Sequence, residues 1–273
     1  MIPFLHLGAL TIPTFGLMVA CAMLSAFFLL RADLRRRQIS QDPSADAESL
    51  IAVPCLAGIL GAKLYHVLET PRDFFADPVH QLFSQFGFAW FGGLLFGVTA
   101  FVLLARSIAR RARAAGVHVT LMDLLDAGSP AAALGYGVGR IGCFLSGDGD
   151  YGIPTSLPWG ISFPNGLVPT TQRVHPTPIY ELLAACLIAW LLWRLGGRQL
   201  SSADSIFQAL ASGKVFAAYL ILTGVARFLV EFIRINPRSF FGLSNAQAAS
   251  VASVLVGVFL WWRLSSHQAS RAY

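Results

Sequence analysis

The chain has 273 residues, of which 55% are hydrophobic and 12% charged, and its mean hydropathy is +0.62. A soluble globular domain carries about 25% charged residues, so this chain has too few charges to cover a water-facing surface, and an ordinary soluble domain is excluded. The net charge of +6 does not indicate nucleic-acid binding, because the arginines cluster at the ends of apolar runs. Positive charge in that position orients membrane proteins.

Seven apolar runs, each of about 18–25 residues, follow one another along the chain, and each is long enough to cross the bilayer as a helix. They lie near 10–30, 50–68, 88–106, 120–145, 177–195, 214–234 and 246–264. The fourth run contains Pro130 and several glycines, which membrane helices tolerate where their neighbours pack closely. The pattern therefore predicts an all-α integral membrane protein with about seven transmembrane helices, the fifth ending at Gly196 and Gly197.

Basic residues divide the loops into two alternating sets. About thirteen of the 20 lysines and arginines lie in 31–37, 106–113, 194–214 and 263–271, whereas 70–87, 146–176 and 234–244 hold four. The positive-inside rule places the first set in the cytoplasm, so we expect the N-terminus outside and the C-terminus inside. The first run has no basic residue before it and Arg31 after it, the reverse of a signal peptide, so we expect a retained helix.

We expect a single polytopic domain over residues 1–273, with a polar segment near 146–176 on its outer face. That segment is rich in glycine, proline, aspartate, serine and threonine. The four cysteines are neither paired as Cys-x-x-Cys nor spaced with histidine as metal ligands, so neither a disulfide framework nor a metal site is expected. They are Cys21, Cys55, Cys143 and Cys186.

Several charged residues fall inside or at the rim of apolar runs, where a charge costs about 2.5–3.5 kcal/mol on insertion scales. They are Lys63, Arg140, Glu181, Arg227 and Glu231. Arg227 and Glu231 share a helix face, so they form either a structural ion pair or part of a cationic pocket. Arg140, on another helix at the same outer side and with few acids expected nearby, favours a pocket for phosphate. Lys63 is expected to extend to the interface.

Polar residues of the outer segment allow two interpretations each. His175 opens the fifth run, as a structural residue near the helix start or as a proton acceptor. Asp148 and Asp150 lie in a glycine-rich stretch, where they are turn residues, or hold a buried arginine, or contact substrate. The twelve-residue pattern of an EF-hand calcium loop is absent.

Three motifs resemble those of the prolipoprotein diacylglyceryl transferase family. The family signature resembles residues 139–152, GRIGCFLSGDGDYG. The family's His-Pro-x-x-x-Tyr-Glu motif is similar to residues 175–181, HPTPIYE. Its Arg-Phe-x-x-Glu-x-x-Arg segment is similar to residues 224–234, GVARFLVEFIR. Weaker similarities occur at 14–18, 61–64 and 90–94. The resemblance implies a seven-helix protein of the bacterial inner membrane, with a periplasmic N-terminus, a cytoplasmic C-terminus and an active site towards the periplasmic leaflet.

The resemblance also implies a reaction, the first step of lipoprotein maturation. The diacylglyceryl group of phosphatidylglycerol moves to the lipobox cysteine thiol in the signal peptide of a prolipoprotein, giving a thioether and glycerol phosphate. No metal or organic cofactor is needed. The implied catalytic residues are Arg140, Arg227, His175, Asp148 and Glu231. The implied substrate-binding residues are Tyr180, Glu181, Asp150, Gly92, Gly93, Ser146 and Arg234.

Within this implied reaction, Arg140 and Arg227 stabilise charge on the leaving phosphate. A thiol with a pKa near about 8.5 must lose its proton, to His175, Asp148 or Asp150. Glu181 and Glu231 orient the arginines, and Tyr180 hydrogen-bonds the lipid headgroup.

The chain departs from the family pattern at three points. Phe91 stands where many members carry histidine or tyrosine, Phe15 where tyrosine is frequent, and Ser146-Gly147-Asp148 where Asn-Gly-Glu is usual. A phenylalanine accepts no proton, so a base at Phe91 is excluded. Two other interpretations follow: a related protein with a different acceptor or without activity, and a lipid or anion transporter that uses the arginine pocket.

Overall fold

The computed structural model describes residues 1–8, 10–84, 89–200, 211–238 and 242–269. Its helices are α1 (Thr14–Arg37), α2 (Pro43–Glu69), α3 (Pro71–Ala76), α4 (Pro78–Phe83), α5 (Trp90–Ala114), α6 (Leu121–Ser146), α7 (Thr177–Leu200), α8 (Lys214–Val230), a 3₁₀ turn (Glu231–Ile233) and α9 (Asn245–Ala269). Its strands are β1 (Phe4–Leu7), β2 (Leu10–Pro13), β3 (Ile161–Phe163) and β4 (Thr170–Val174).

Long apolar helices confirm the prediction of a helical integral membrane protein, to which the described residues add two short antiparallel strand pairs. In the described part of the chain, six helices are long and apolar enough to cross a membrane, namely α1, α2, α5, α7, α8 and α9. The fourth predicted run forms α6, a continuous 26-residue helix despite Pro130. It is not one of the six, and it carries Asp123, Asp126 and Arg140. The count of about seven spans and the orientation of the termini stay predictions.

Two predicted boundaries are wrong. Leu10–Pro13 is a strand paired antiparallel with β1, and the first helix begins only at Thr14, whose amide and hydroxyl both donate to the Pro3 carbonyl, at 2.9 and 3.0 Å. Gly196 and Gly197 do not end the fifth predicted helix, because α7 continues to Leu200. A glycine inside a helix costs only about 1 kcal/mol, which the surrounding apolar residues outweigh.

The chain divides into two compact units, Met1–Asp33 with Leu125–Tyr273, and Leu34–Leu124. In the second unit, α2 packs directly against α5 through glycines. A Cβ atom on Gly92 would lie 2.3 Å from the Gly61 carbonyl oxygen, and one on Gly61 would lie 2.7 Å from that of Gly92. Lys63 is buried and donates to the Ser84 carbonyl, after α4, at 3.0 Å. The expectation that its side chain extends to the membrane interface stays a prediction.

In the first unit, α6, α7 and α8 share an apolar core. Its buried residues are Ala133, Ile188, Ala189, Leu192, Val215 and Ala218. Asp126 of α6 accepts hydrogen bonds from the amides of Gly213 and Phe216, at 2.8 and 2.7 Å. A buried carboxylate thus satisfies the free amides at the start of α8.

The polar segment between α6 and α7 folds on a small core of Tyr151, Phe163 and Val174. Its backbone joins the end of the 3₁₀ turn, because the Ile153 amide donates to the Ile233 carbonyl at 2.8 Å. A Cβ on Gly152 would lie 2.5 Å from that same carbonyl, so this approach requires glycine. The end of α6, the start of α7 and the end of α8 are therefore all adjacent to one polar segment.

Candidate active site

Arg140 lies six residues before the end of α6 and contacts three other polar side chains. Its Nη1 forms an ion pair with Asp150, its Nη2 donates to the Tyr136 hydroxyl at 2.9 Å, and its Nε lies 3.2 Å from Glu181. Tyr136 is one helical turn before Arg140, and the guanidinium lies 4.7 Å from the centre of its ring. Sequence reasoning missed Tyr136, although the spacing of four residues could have indicated it.

Glu181 lies near the start of α7 and contacts three arginines from different elements. One carboxylate oxygen accepts from Arg227 at 2.5 Å and from the Tyr136 hydroxyl at 2.7 Å. The other accepts from Arg234 at 3.3 Å and lies beside Arg140. Its side chain is only 3% exposed. A carboxylate this buried is stable only when paired, so Glu181 fixes the positions of the three guanidinium groups.

Two further carboxylates complete the cluster. Glu231 pairs with Arg227 at 2.8 Å across one helical turn, and Asp150 pairs with both Arg234 and Arg140. The expectation of few acids near the arginines is therefore wrong, since three arginines face three carboxylates. Asn236, which sequence reasoning also missed, donates to Glu231 at 2.7 Å. We call Arg140, Asp150, Glu181, Arg227, Glu231 and Arg234 the arginine–carboxylate cluster.

Exposure divides this cluster into an interior and a rim. The side chains of Glu231, Glu181 and Arg234 are 1%, 3% and 6% exposed. Those of Arg140 and Arg227 are 16% and 24% exposed. Asp150 is the most exposed, at 30%. The two arginines singled out from the sequence are therefore partly accessible, and Asp150 is the most accessible carboxylate of the cluster.

His175 and Tyr180 form a second group beside the start of α7. The Tyr180 hydroxyl lies 3.1 Å from His175 Nδ1 and accepts from the Trp159 indole at 2.8 Å. Thr177, between them in the chain, donates its hydroxyl to the Asp150 carbonyl. Among the described residues, no hydrogen bond or ion pair joins His175 or Tyr180 directly to the arginine–carboxylate cluster. The sequence analysis does not indicate this contact of Trp159.

Asp148 and Asp150 differ although they are two residues apart. Among the described residues, Asp148 forms no ion pair with an arginine, and it accepts from the Asp150 amide at 3.2 Å. Burial, and then the charge of Asp150, raise the pKa of Asp148. Burial acts in the same direction on Asp150, but the adjacent Arg234 and Arg140 outweigh it and lower its pKa. Asp150 therefore stays ionised, whereas Asp148 takes up a proton more readily.

Ser146 and Cys143 are buried at the end of α6. The Ser146 hydroxyl donates to the Cys143 carbonyl at 3.2 Å, and Cys143 Sγ lies 3.5 Å from Arg140 Nη1. Ser146 thus completes the last turn of the helix. Its role in binding substrate, which the family resemblance implies, stays a prediction. Ligand atoms of Cys143, Asp148 and Asp150 lie within 4.8 Å of one another. Both oxygens of Asp150 already bind arginines, so this group is a poor donor set for a cation.

Gly92 and Gly93 lie on α5, in the second unit, and the contacts described for them are with α2. Gly92 has no space for a Cβ atom, whereas one on Gly93 would lie 3.4 Å from the Gly58 carbonyl oxygen, an ordinary contact. Helix packing accounts for Gly92. A role for either glycine in binding substrate stays a prediction.

These features define a multi-pass membrane protein with a polar arginine site at the ends of three helices. A model of the family described as "Prolipoprotein diacylglyceryl transferase" matches residues 3–263. Three similar proteins carry the name phosphatidylglycerol–prolipoprotein diacylglyceryl transferase. Those of Clostridium tetani and Geobacter sulfurreducens are 31% and 33% identical, covering 94% and 93% of this chain and 94% and 92% of their own. That of Bordetella avium is 32% identical over 98% of this chain and 95% of its own.

The chain belongs to the prolipoprotein diacylglyceryl transferase family. The matched residues 3–263 include all three motifs noted in the sequence. The chain is a membrane-bound transferase of lipoprotein biosynthesis.

Proposed function

We infer that the protein transfers the diacylglyceryl group of phosphatidylglycerol to the lipobox cysteine of prolipoproteins, in the bacterial inner membrane. The observation that carries this inference is the arginine–carboxylate cluster, whose rim exposes Arg140 and Arg227. Two guanidinium groups at the edge of a membrane site suit a ligand that combines a phosphate with acyl chains. The names of the relatives at about one third identity supply the substrates.

The chemistry explains why arginines stand at the rim. The acceptor thiolate attacks the glyceryl carbon attached to the phosphate oxygen, a carbon–sulfur bond forms, and the carbon–oxygen bond breaks. Glycerol phosphate leaves with the bonding electron pair, so negative charge grows on its phosphate. Preorganised donors at low dielectric stabilise such charge, and losing one of them typically costs about 10²–10³ in rate.

The charge balance of the cluster gives Asp150 a specific role in this proposal. In the cluster, one carboxylate, Asp150, already pairs with both Arg140 and Arg234. A phosphate that binds Arg140 therefore competes with the Asp150 carboxylate. Glu181 and Glu231 are too buried to move aside, and they keep the guanidinium groups in place while this exchange occurs.

The thiol proton needs an acceptor, and the three candidates are no longer equivalent. Asp150 is a poor base because two arginines lower its pKa. Asp148, whose pKa is raised, and His175, beside the Tyr180 hydroxyl, are the better candidates. Asp148 and His175 are replaced in turn, and the pH dependence of turnover is compared with that of the wild type. The variant that lacks the true acceptor should lose the rise in turnover that accompanies deprotonation of that acceptor.

The proposed orientation follows from the alternation of basic loops and from the polar segment. The arginine–carboxylate cluster and this segment lie at the C-terminal ends of α6 and α8. The poorly charged loops 146–176 and 234–244 are at the same ends. By the positive-inside rule we place the active site towards the periplasmic leaflet. A lipid from that leaflet and an exported signal peptide would then both reach it.

The test is a transfer assay with purified protein in proteoliposomes that contain phosphatidylglycerol. A peptide bearing a lipobox cysteine is added, and mass spectrometry follows the diacylglyceryl adduct. We expect an adduct with the wild-type protein and none with a peptide in which serine replaces the cysteine. Liposomes of phosphatidylcholine alone serve as the lipid control. Folded protein that gives no adduct from phosphatidylglycerol would contradict the proposal and favour a different acceptor.

A further inference from the structure

A pocket of about 330 Å³ opens at the C-terminal end of α5, in the second unit. It is lined by Leu103, Arg106, Ala109, Arg110, Arg113 and Leu121. Pockets that hold small ligands start at about 300 Å³. Its arginines are among the basic loop residues from which the orientation of the chain is predicted. None of the six lining residues belongs to a sequence motif or has a role in the proposed reaction.

None of the three arginines that line this pocket has a carboxylate partner in the part of the chain that the structure describes. Arg106 and Arg110 are one helical turn apart, and therefore lie on the same face of α5. Arg113 donates to the Val119 carbonyl at 2.8 Å, which holds its side chain but leaves its charge, whereas Arg111, outside the pocket, lies 3.7 Å from Asp46. The pocket lining thus includes three positive charges that the described residues do not neutralise, and within these residues Arg106 and Arg110 have no other polar contact holding them.

The position of the pocket along α5 matches the depth of lipid phosphates. From Phe91 to Arg110 the helix rises roughly 29 Å, about the thickness of the hydrocarbon layer. Arg106 and Arg110 then lie where the hydrocarbon ends and the headgroups begin. Leu103, one turn nearer the bilayer centre, is 58% exposed beside them. A lining that combines arginines with leucine side chains suits a molecule that is itself amphiphilic.

We propose that this pocket binds an anionic phospholipid, whose phosphate pairs with Arg106 and Arg110 and whose acyl chain lies against Leu103 and Leu121. Charge complementarity selects the phosphate, since a guanidinium pairs with it through two parallel hydrogen bonds. The apolar wall and the depth in the bilayer select a lipid over free phosphate. This lipid is additional to the substrate of the arginine–carboxylate cluster and is not consumed.

The test counts lipids bound to the full-length protein by native mass spectrometry in detergent, during titration with dioleoyl phosphatidic acid. We expect Arg106→Gln/Arg110→Gln to lose one bound lipid, with about 20-fold weaker affinity at that site. Arg111→Gln is the matched control, because it removes a charge from the same turn outside the pocket, and it should bind as the wild type does. Arg106→Lys/Arg110→Lys keeps both charges and should keep most of the affinity, which separates loss of charge from loss of fold.

Three outcomes overturn the proposal. One is equal binding by the wild type and the double glutamine variant. Another is an equal loss in Arg111→Gln, which would indicate diffuse surface charge. The third concerns the ligand: if glycerol 3-phosphate binds this site as tightly as the lipid, or if zwitterionic dioleoyl phosphatidylcholine does, an anionic lipid is not what the pocket selects.

Discussion

Helices meet in different ways in the two units. In the second unit, α2 and α5 approach through Gly61 and Gly92, and the backbones themselves are in contact. In the first unit, α6, α7 and α8 meet at one end through charged side chains around Glu181. Close backbone packing supplies dispersion contacts that require no polar group. Charged side chains between helices are costly unless paired, so their presence points to chemistry.

The largest effect is expected from Arg140→Ala. Removing a rim guanidinium takes away a donor to the leaving phosphate, and turnover should fall by about 10³-fold. The transfer assay measures this, together with thermal unfolding to show that the variant is folded. Arg111→Ala, which removes an exposed arginine paired with Asp46, is the control and should retain full turnover. Full turnover in folded Arg140→Ala would refute the phosphate role.

Glu181→Gln should show that one carboxylate supports three arginines. The substitution keeps the shape but leaves buried positive charge uncompensated, an imbalance that typically costs about 3–5 kcal/mol. We therefore expect a clear fall in the unfolding temperature together with lower turnover. A variant as stable as the wild type would mean that the arginines do not depend on Glu181.

His175→Ala should reduce turnover more than Lys63→Ala, which compares one residue from each unit. His175 contacts Tyr180 beside the polar segment, whereas Lys63 donates to a backbone carbonyl in the helix pair. We expect at least about a tenfold loss of turnover for the histidine, and for the lysine a loss of stability without a comparable loss per folded molecule. The reverse order in the transfer assay would move the chemistry towards the second unit.

The variants Gly92→Ala and Gly93→Ala form a matched pair that tests the close contact between α2 and α5. A Cβ on Gly92 overlaps the Gly61 carbonyl, so the helices must separate, at a cost of about 1–3 kcal/mol. Gly93 has space for a methyl group, and its variant should be close to wild type in thermal unfolding. If instead both variants fold well and only turnover falls, the glycines contact substrate as the family resemblance implies.

The smallest effect is expected from the pair Asp148→Asn and Asp150→Asn, measured as unfolding temperature against pH. Because the pKa of Asp150 is lowered in the folded state, its carboxylate stabilises the fold above the ordinary aspartate pKa of about 3.9. This stabilisation is lost as pH falls through the lowered pKa. Asp150→Asn should therefore destabilise at pH 7, with the difference vanishing in strong acid.

The contribution of Asp148 to stability depends on pH in the opposite direction. Because its pKa is raised in the folded state, stability declines as pH rises from the ordinary aspartate pKa through the raised pKa. Asp148→Asn should remove this decline, so the variant should be at least as stable as the wild type at pH 7. Equal pH profiles for the two variants would contradict the contrast between them.

Much of the architecture could be predicted from the sequence, because length and hydropathy identify membrane helices without tertiary information. The spacing of Arg227 and Glu231 also places them on one helix face, where the ion pair was one of two alternatives and is the one observed. The strand Leu10–Pro13 is not predicted, because apolar residues alone do not distinguish a strand from a helix. The charge balance of the cluster could not be predicted, since Asp150, Glu181 and Arg234 are far apart in the chain and meet only through folding.

The competition between Asp150 and phosphate can be measured directly by titration calorimetry with glycerol 3-phosphate, the headgroup product, and no acceptor peptide. We expect Asp150→Asn to bind it about tenfold more tightly than the wild type, a gain of roughly 1.4 kcal/mol, because Arg140 and Arg234 lose the most exposed of their carboxylate partners and keep Glu181. Arg140→Ala should bind it more weakly than either. Equal or weaker binding by folded Asp150→Asn would show that phosphate does not take the place of this carboxylate, and that the arginine–carboxylate cluster is a structural ion-pair network.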